Sequence, residues 1–216
     1  MPLYAAQTGA TVTMLTHPGC DFPALSRPMA RKPQCARFYA DASAFLLRTL
    51  KPGDILFLPS LRIPARAEDA AKGPPLLHGA KPEYLALSRR LVATGARLVI
   101  EAPTPVFDSP PFRCLDAFNR HNPVCRAGFE VDRSAMEKAR QSVLGRMHRL
   151  AGDVAGVEIW DPLPILCPGV RCSALRDGRP LYLDTNHLNY RGHMLLYPSL
   201  RAMLRLDDAV SKRGRQ

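Results

Sequence analysis

The run Leu181-Tyr182-Leu183-Asp184-Thr185-Asn186-His187-Leu188-Asn189-Tyr190-Arg191-Gly192 passes from an apolar stretch into the start of a helix and sets an acid and a histidine three residues apart in between. An imidazole acting as general base needs a hydroxyl within reach of one ring nitrogen and an orienting acceptor on the other. A tight strand-to-helix loop holds both side chains toward one cleft, so the spacing predicts an Asp184/His187 pair. No matching nucleophile block accompanies it: neither Gly-Asp-Ser nor Gly-x-Ser-x-Gly occurs in the chain.

Working outward from this run, strand-like and helix-like segments alternate. Residues 2–9 read as the last turns of a helix closed by a glycine, and the β-branched run 10–16 reads as a strand. Residues 36–50 place Phe38, Ala42, Phe45 and Leu46 at helical spacing, and Lys51-Pro52-Gly53 stops them. Ile55-Leu56-Phe57-Leu58 is short and wholly apolar, as a buried parallel strand is. After a long Pro- and Arg-containing loop over 59–79, a helix is expected over 82–94 and a strand over 98–100. A second long loop spans 103–131. Asp132 or Ser134 then caps a helix to about 150, residues 157–160 supply a strand, and 190–204 a final helix. This alternation predicts an α/β fold, a mainly parallel sheet covered on both faces. Ligands bind such sheets at the carboxyl ends of the strands, where the loops after Leu58, Ile100, Trp160 and Leu183 would lie.

The 216 residues suffice for one domain, and 46% hydrophobic content is ordinary for a globular chain. No apolar run reaches the ~18–20 residues that span a bilayer, and residues 1–4 do not open a signal peptide. A formal net charge of +11 raises the possibility of a polyanionic partner, but the arginines are scattered without a dense block or interleaved aromatics. The reading is a solvated Arg-rich surface and no nucleic acid. The basic residues of 211–216 read as a flexible tail.

Six cysteines fall into local pairs, Cys20 with Cys35, Cys114 with Cys125 and Cys167 with Cys172. Short loops close at low entropic cost, which favours nearest-neighbour disulfides among the fifteen possible connectivities. Zinc fits less well: no Cys-x-x-Cys occurs, and His17 and His121 lack companion spacing. Disulfides would place the domain in an oxidising compartment such as the bacterial periplasm.

Three segments together, Leu166-Cys167-Pro168-Gly169-Val170-Arg171-Cys172, Asp177-Gly178-Arg179-Pro180-Leu181-Tyr182 and Asp184-x-x-His187-Leu188, resemble the C-terminal signature of SGNH hydrolases. More narrowly, with Gly19-Cys20, the run from Gly53 to Arg62, Ser109 to Cys114 and Phe118-Asn119-Arg120, they resemble the periplasmic SGNH domain fused behind bacterial membrane O-acyltransferases. The resemblance covers residues 1–206 as one domain, with 207–216 as the tail. It implies a three-layer α/β/α, flavodoxin-like sandwich and a Ser/His/Asp triad with His187 as base and Asp184 as orienter. It implies no cofactor and no metal. The partners would be an acylated glycan or acyl donor and a membrane acyltransferase domain encoded upstream.

In that family the serine lies between the first strand and the first helix, and this chain opens inside what would be that helix. The expectation is therefore a domain lacking its first strand and its serine, a fragment or a decayed copy, inactive by the triad route. Ser60 and Arg62, after the second core strand, are candidates for the oxyanion or substrate position. Against them, Ser60 turns the chain after Pro59 and Arg62 pairs with a surface acid. His17 and His193 read as structural. The competing function is a non-catalytic glycan-binding domain using arginines such as Arg62 and Arg66.

Overall fold

A computed structural model describes residues 5–7, 9–20, 22, 33–59, 61, 63, 67, 82–119 and 121–204. In chain order the elements are α1 (Pro33–Thr49), β1 (Ile55–Leu58), α2 (Pro82–Val92), β2 (Arg97–Glu101), α3 (Pro111–Cys114), β3 (Glu130–Asp132), α4 (Arg133–Asp153), β4 (Val157–Trp160), α5 (Leu163–Leu166), β5 (Arg171–Ser173), β6 (Leu175–Arg176), β7 (Arg179–Pro180) and α6 (Tyr190–Met203). The expected alternation of helix and strand is present from α1 onward.

β1, β2 and β4 form a parallel sheet in that order, with Ile55 opposite Arg97 and Leu98 opposite Val157. On β2, Leu98, Val99 and Ile100 are each no more than 1% exposed, so both faces of the sheet are covered. Two successive crossovers step the same way across the sheet, which puts α2 and α4 on one face. α1 packs against α2 there. α4 turns Met136, Ala139, Val143, Met147 and Leu150 inward at helical spacing.

The opposite face belongs to α6. Arg97, Glu158 and Trp160 share this face by register. The Trp160 indole donates to Ser199 Oγ at 3.0 Å, and Arg97 donates to the Met203 and Leu204 carbonyls while pairing with Glu158 at 2.7 Å. The outcome is the three-layer α/β/α arrangement.

Turn chemistry fixes the ends. Gly95 has φ 86°, and a Cβ there would stand 2.8 Å from the Pro52 Cα, so the stop after α2 leans on the stop after α1. Three disulfides, Cys20–Cys35, Cys114–Cys125 and Cys167–Cys172, close the nearest-neighbour pairs.

Several expectations are corrected. Residues 10–16 take no strand form, and Val12, Met14 and Leu15 are exposed at 39, 77 and 40%. β-branched composition fits a pleated surface, but a strand exists only where a neighbour takes its backbone groups. The apolar stretch 181–183 is not a strand of the parallel sheet; it contributes one isolated bridge, Tyr182 with Leu188. The segment 103–131 is not simply a surface loop. Ala102, Val106 and Phe107 are wholly buried, followed by α3, a 3-10 turn (Pro123–Cys125) and β3. Asp132 stands at the N-cap of α4 without a side-chain cap bond, because its carboxylate binds Arg171 at 2.9 Å.

α6 begins where the chain crosses itself. A Cβ on Gly192 would meet the Leu181 carbonyl oxygen at 2.5 Å and Leu188 Cδ2 at 2.7 Å. Backbone cannot retreat as a flexible side chain does, so Gly192→Ala is expected to cost about 1–3 kcal/mol in urea unfolding. An unchanged midpoint would show that the crossing is looser than drawn.

Candidate functional site

The turn at 183–187 is built by one carboxylate. Asp184 Oδ1 accepts the amides of Asn186 at 2.9 Å and His187 at 2.8 Å, folding the backbone into an Asx turn, while Oδ2 takes His187 Nδ1 at 2.7 Å. The Leu183 amide donates to the His187 carbonyl at 2.7 Å, closing the turn, and the Asn189 amide reaches the Leu181 carbonyl at 2.9 Å. Asn189 then caps α6, its side chain accepting the Gly192 amide at 3.1 Å and donating to the Pro180 carbonyl at 2.7 Å. The predicted Asp184/His187 pair is thus assembled, and Asn186 and Asn189 serve as turn and cap.

The turn is pinned to the core from two sides. Tyr182 is fully buried with its ring 5.0 Å from that of Phe107, edge to face. The Phe107 amide donates to the Thr185 carbonyl at 2.8 Å, tying the segment after β2 to the turn itself. Sequence reasoning missed Phe107 and Thr185. A backbone bond leaves no residue-type signature; only the burial of residues 102–107 at the carboxyl edge of β2 makes it possible.

The side chains that the turn presents remain open. The His187 ring is 70% exposed and the Asp184 carboxylate 48%, and Asp184 is the ring's one hydrogen-bond partner among the described residues. Leu183 lies directly across the bridge from His187, on the same outward side, and is half exposed. It too was missed, because 181–183 reads as a plain apolar run until the bridge shows which of its residues turn outward.

Electrostatics favour an ionised carboxylate. Partial burial of Asp184 pushes its pKa up, but the hydrogen bonds from the Asn186 and His187 amides and the ring, with the charge of His187, outweigh it and hold the group below its ordinary value of 3.8.

A second ionic contact sets the neighbouring loop. Arg140 on α4 is 1% exposed, and its guanidinium binds Asp161 immediately after β4. The same Asp161 oxygen accepts the Leu163 amide at 2.9 Å. Burial pushes the Arg140 pKa down, countered by Asp161.

Other sequence candidates lie elsewhere. Ser60 and Arg62 are outside the described residues, as is Arg66. His17 sits by the Cys20–Cys35 bridge, its Nδ1 3.3 Å from Cys20 Sγ and its ring 5.6 Å from Phe38, in a structural setting. His193 lies on the surface of α6.

A depressed carboxyl contributes stability that is present above its unfolded-state pKa and lost as pH falls through the lower folded-state value. Asp184→Asn is therefore expected to be less stable than the parent near pH 7, with the difference shrinking below about pH 3.8. Urea titrations of both proteins from neutral to acid pH check this. A difference that persists undiminished at the lowest pH would remove the charge from the account.

Among known families, the model of the SGNH domain (fused to AT3 domains) matches residues 2–202. No curated protein matches the chain, and no solved structure does.

Proposed function

The chain belongs to the SGNH-domain family, and from that premise we propose that Asp184 and His187 are the orienter and general base of an acyl-transfer or ester-hydrolysis site acting on cell-surface glycans. One observation carries the reading: a 2.7 Å bond from Asp184 to one ring nitrogen of an imidazole that is otherwise 70% exposed. Asp184 fixes the Nδ1–H tautomer, which leaves Nε2 as the acceptor. In the reaction a hydroxyl attacks an acyl donor, His187 takes its proton at Nε2, and the imidazolium returns it to the leaving oxygen. A sugar hydroxyl or water then receives the acyl group.

That hydroxyl is not supplied by a Gly-Asp-Ser block, which the sequence lacks. Residues 1–216 thus carry the acid-base half of the site and are inactive alone. The domain covers residues 1–206, with 207–216 as a basic tail. Its working partner is an acyltransferase domain, in keeping with a family described as fused to AT3 domains. Three disulfides fit an oxidising, extracytoplasmic setting, here the periplasm.

The missing serine block also favours a second reading, a non-catalytic domain that binds glycan in the same place. Salt-sensitive glycan binding that survives His187→Ala would select it.

Two measurements test the first reading. Ring ¹⁵N spectra at neutral pH are expected to show His187 protonated at Nδ1, and Asp184→Asn is expected to release that preference; an Nε2–H tautomer in the parent would sink the assignment of the base. Aryl acetate hydrolysis by the purified chain is expected to equal that of His187→Ala. Turnover that depends on His187 would mean that a hydroxyl of this chain completes the triad, and the inactive reading would fall.

A further inference from the structure

The excursion between β2 and β3 exposes three large apolar side chains: Phe112 at 63%, Leu115 at 43% and Phe118 at 95%. Phe112 and Leu115 are three residues apart around the single turn of α3, while Cys114 between them faces inward at 4% exposure and is bonded to Cys125. Phe118 tops the next turn. Its amide is held by Asp116 Oδ1 at 3.1 Å, and Asp116 Oδ2 takes the Asn119 amide group at 2.9 Å. A disulfide and a doubly bonded carboxylate therefore hold apolar rings in water, a standing cost that a packed interior would have removed.

The polar neighbours decide what would cover them. Arg113 and Arg126 on the same excursion are exposed, and the acid between them, Asp116, is engaged in holding the turn. The whole chain carries a formal net charge of +11. Rings that enter the boundary between headgroups and acyl chains, flanked by guanidiniums that meet lipid phosphates, match an anionic bilayer in both terms. A neutral glycan matches the rings by stacking but offers the guanidiniums no charge, and an anionic glycan offers charge but no acyl interior for side chains as exposed as Phe118. We propose that the tip at residues 112–118, braced by the Cys114–Cys125 bridge, is an interfacial anchor that docks the domain on an anionic lipid surface. The anchor does not depend on the acyl-transfer reading. Its root is nonetheless tied to the Asp184–His187 turn through the Phe107–Thr185 hydrogen bond.

The test is co-sedimentation of the full chain with vesicles of phosphatidylcholine alone and with about one third phosphatidylglycerol. Binding is expected to the anionic vesicles, to weaken with added salt, and to fall roughly tenfold or more in the double variant Phe112→Ser/Phe118→Ser. A second measurement guards against misfolding of that variant. Phe118→Trp adds an exposed reporter to a chain whose own tryptophan, Trp160, is buried, and its emission is expected to shift blue with anionic vesicles. The proposal is overturned if the parent ignores anionic vesicles, if the folded double variant binds as the parent does through bulk charge alone, or if the Phe118→Trp emission stays unshifted while the protein sediments with lipid.

Discussion

One carboxylate organises the turn that carries the proposed site. Asp184 collects two backbone amides and one ring nitrogen within 2.9 Å, so a single side chain folds the turn and fixes the orientation of the histidine ring. These are charge-assisted bonds, stronger than neutral ones, and they explain how a turn with both functional side chains largely in solvent keeps a defined geometry. The same bonds outweigh partial burial and keep the carboxyl ionised. An ionised carboxylate is also what the orienting role proposed for Asp184 would require, since it would have to stabilise an imidazolium.

Around that turn the fold supplies backing rather than chemistry. Tyr182 and Phe107 are buried beneath it, Gly192 lets the first turn of α6 cross the Leu181 carbonyl, and Asn189 caps the helix and holds the Pro180 carbonyl at once. Arg140 does comparable work one strand over, reaching from the interior of α4 to fix Asp161. Arg140 is buried while Asp161 is 38% exposed, so removing Asp161 would leave a buried guanidinium without its carboxylate, which is costly even where the intact pair adds little net stability. The segment after β2 and the 183–187 turn are thus held to each other through Phe107, while the loop after β4 is held by Arg140.

The placement of apolar residues divides the molecule. The central strand of the sheet is buried on both faces, whereas the excursion after β2 buries Phe107 and, beside a disulfide, leaves Phe112 and Phe118 in water. A bridge over eleven positions of sequence removes freedom from the unfolded chain and stiffens the tip. Rigidity and exposure together characterise an interaction surface, and the adjoining arginines give it a sign.

How much of this was legible beforehand depended on whether the signal was local. The segments of α1, β1, α2, β2, α4, β4 and α6 followed from periodicity and from Gly and Pro punctuation, whereas the short elements α3, β3, α5 and β5 to β7 did not, and the Asp184/His187 pair followed from its spacing beside an apolar run. The cysteine pairs followed from loop entropy, and the family from motifs spread along the chain. Partners distant in sequence were not legible. The segment 10–16 has the composition of a strand yet joins no sheet among the described residues, the Phe107–Thr185 bond joins backbones 78 positions apart, and the outward turn of Leu183 beside His187 depends on the bridge between Tyr182 and Leu188. Sequence by itself determined where the long helices and the strands of the parallel sheet lie and that Asp184 and His187 stand at pairing distance along the chain, because short-range sterics and periodic burial are written in neighbouring residues. Tertiary structure alone decided which extended segments join the sheet and which side chains stay in water, because a backbone hydrogen bond or a covered face exists only when a distant part of the chain supplies the other half.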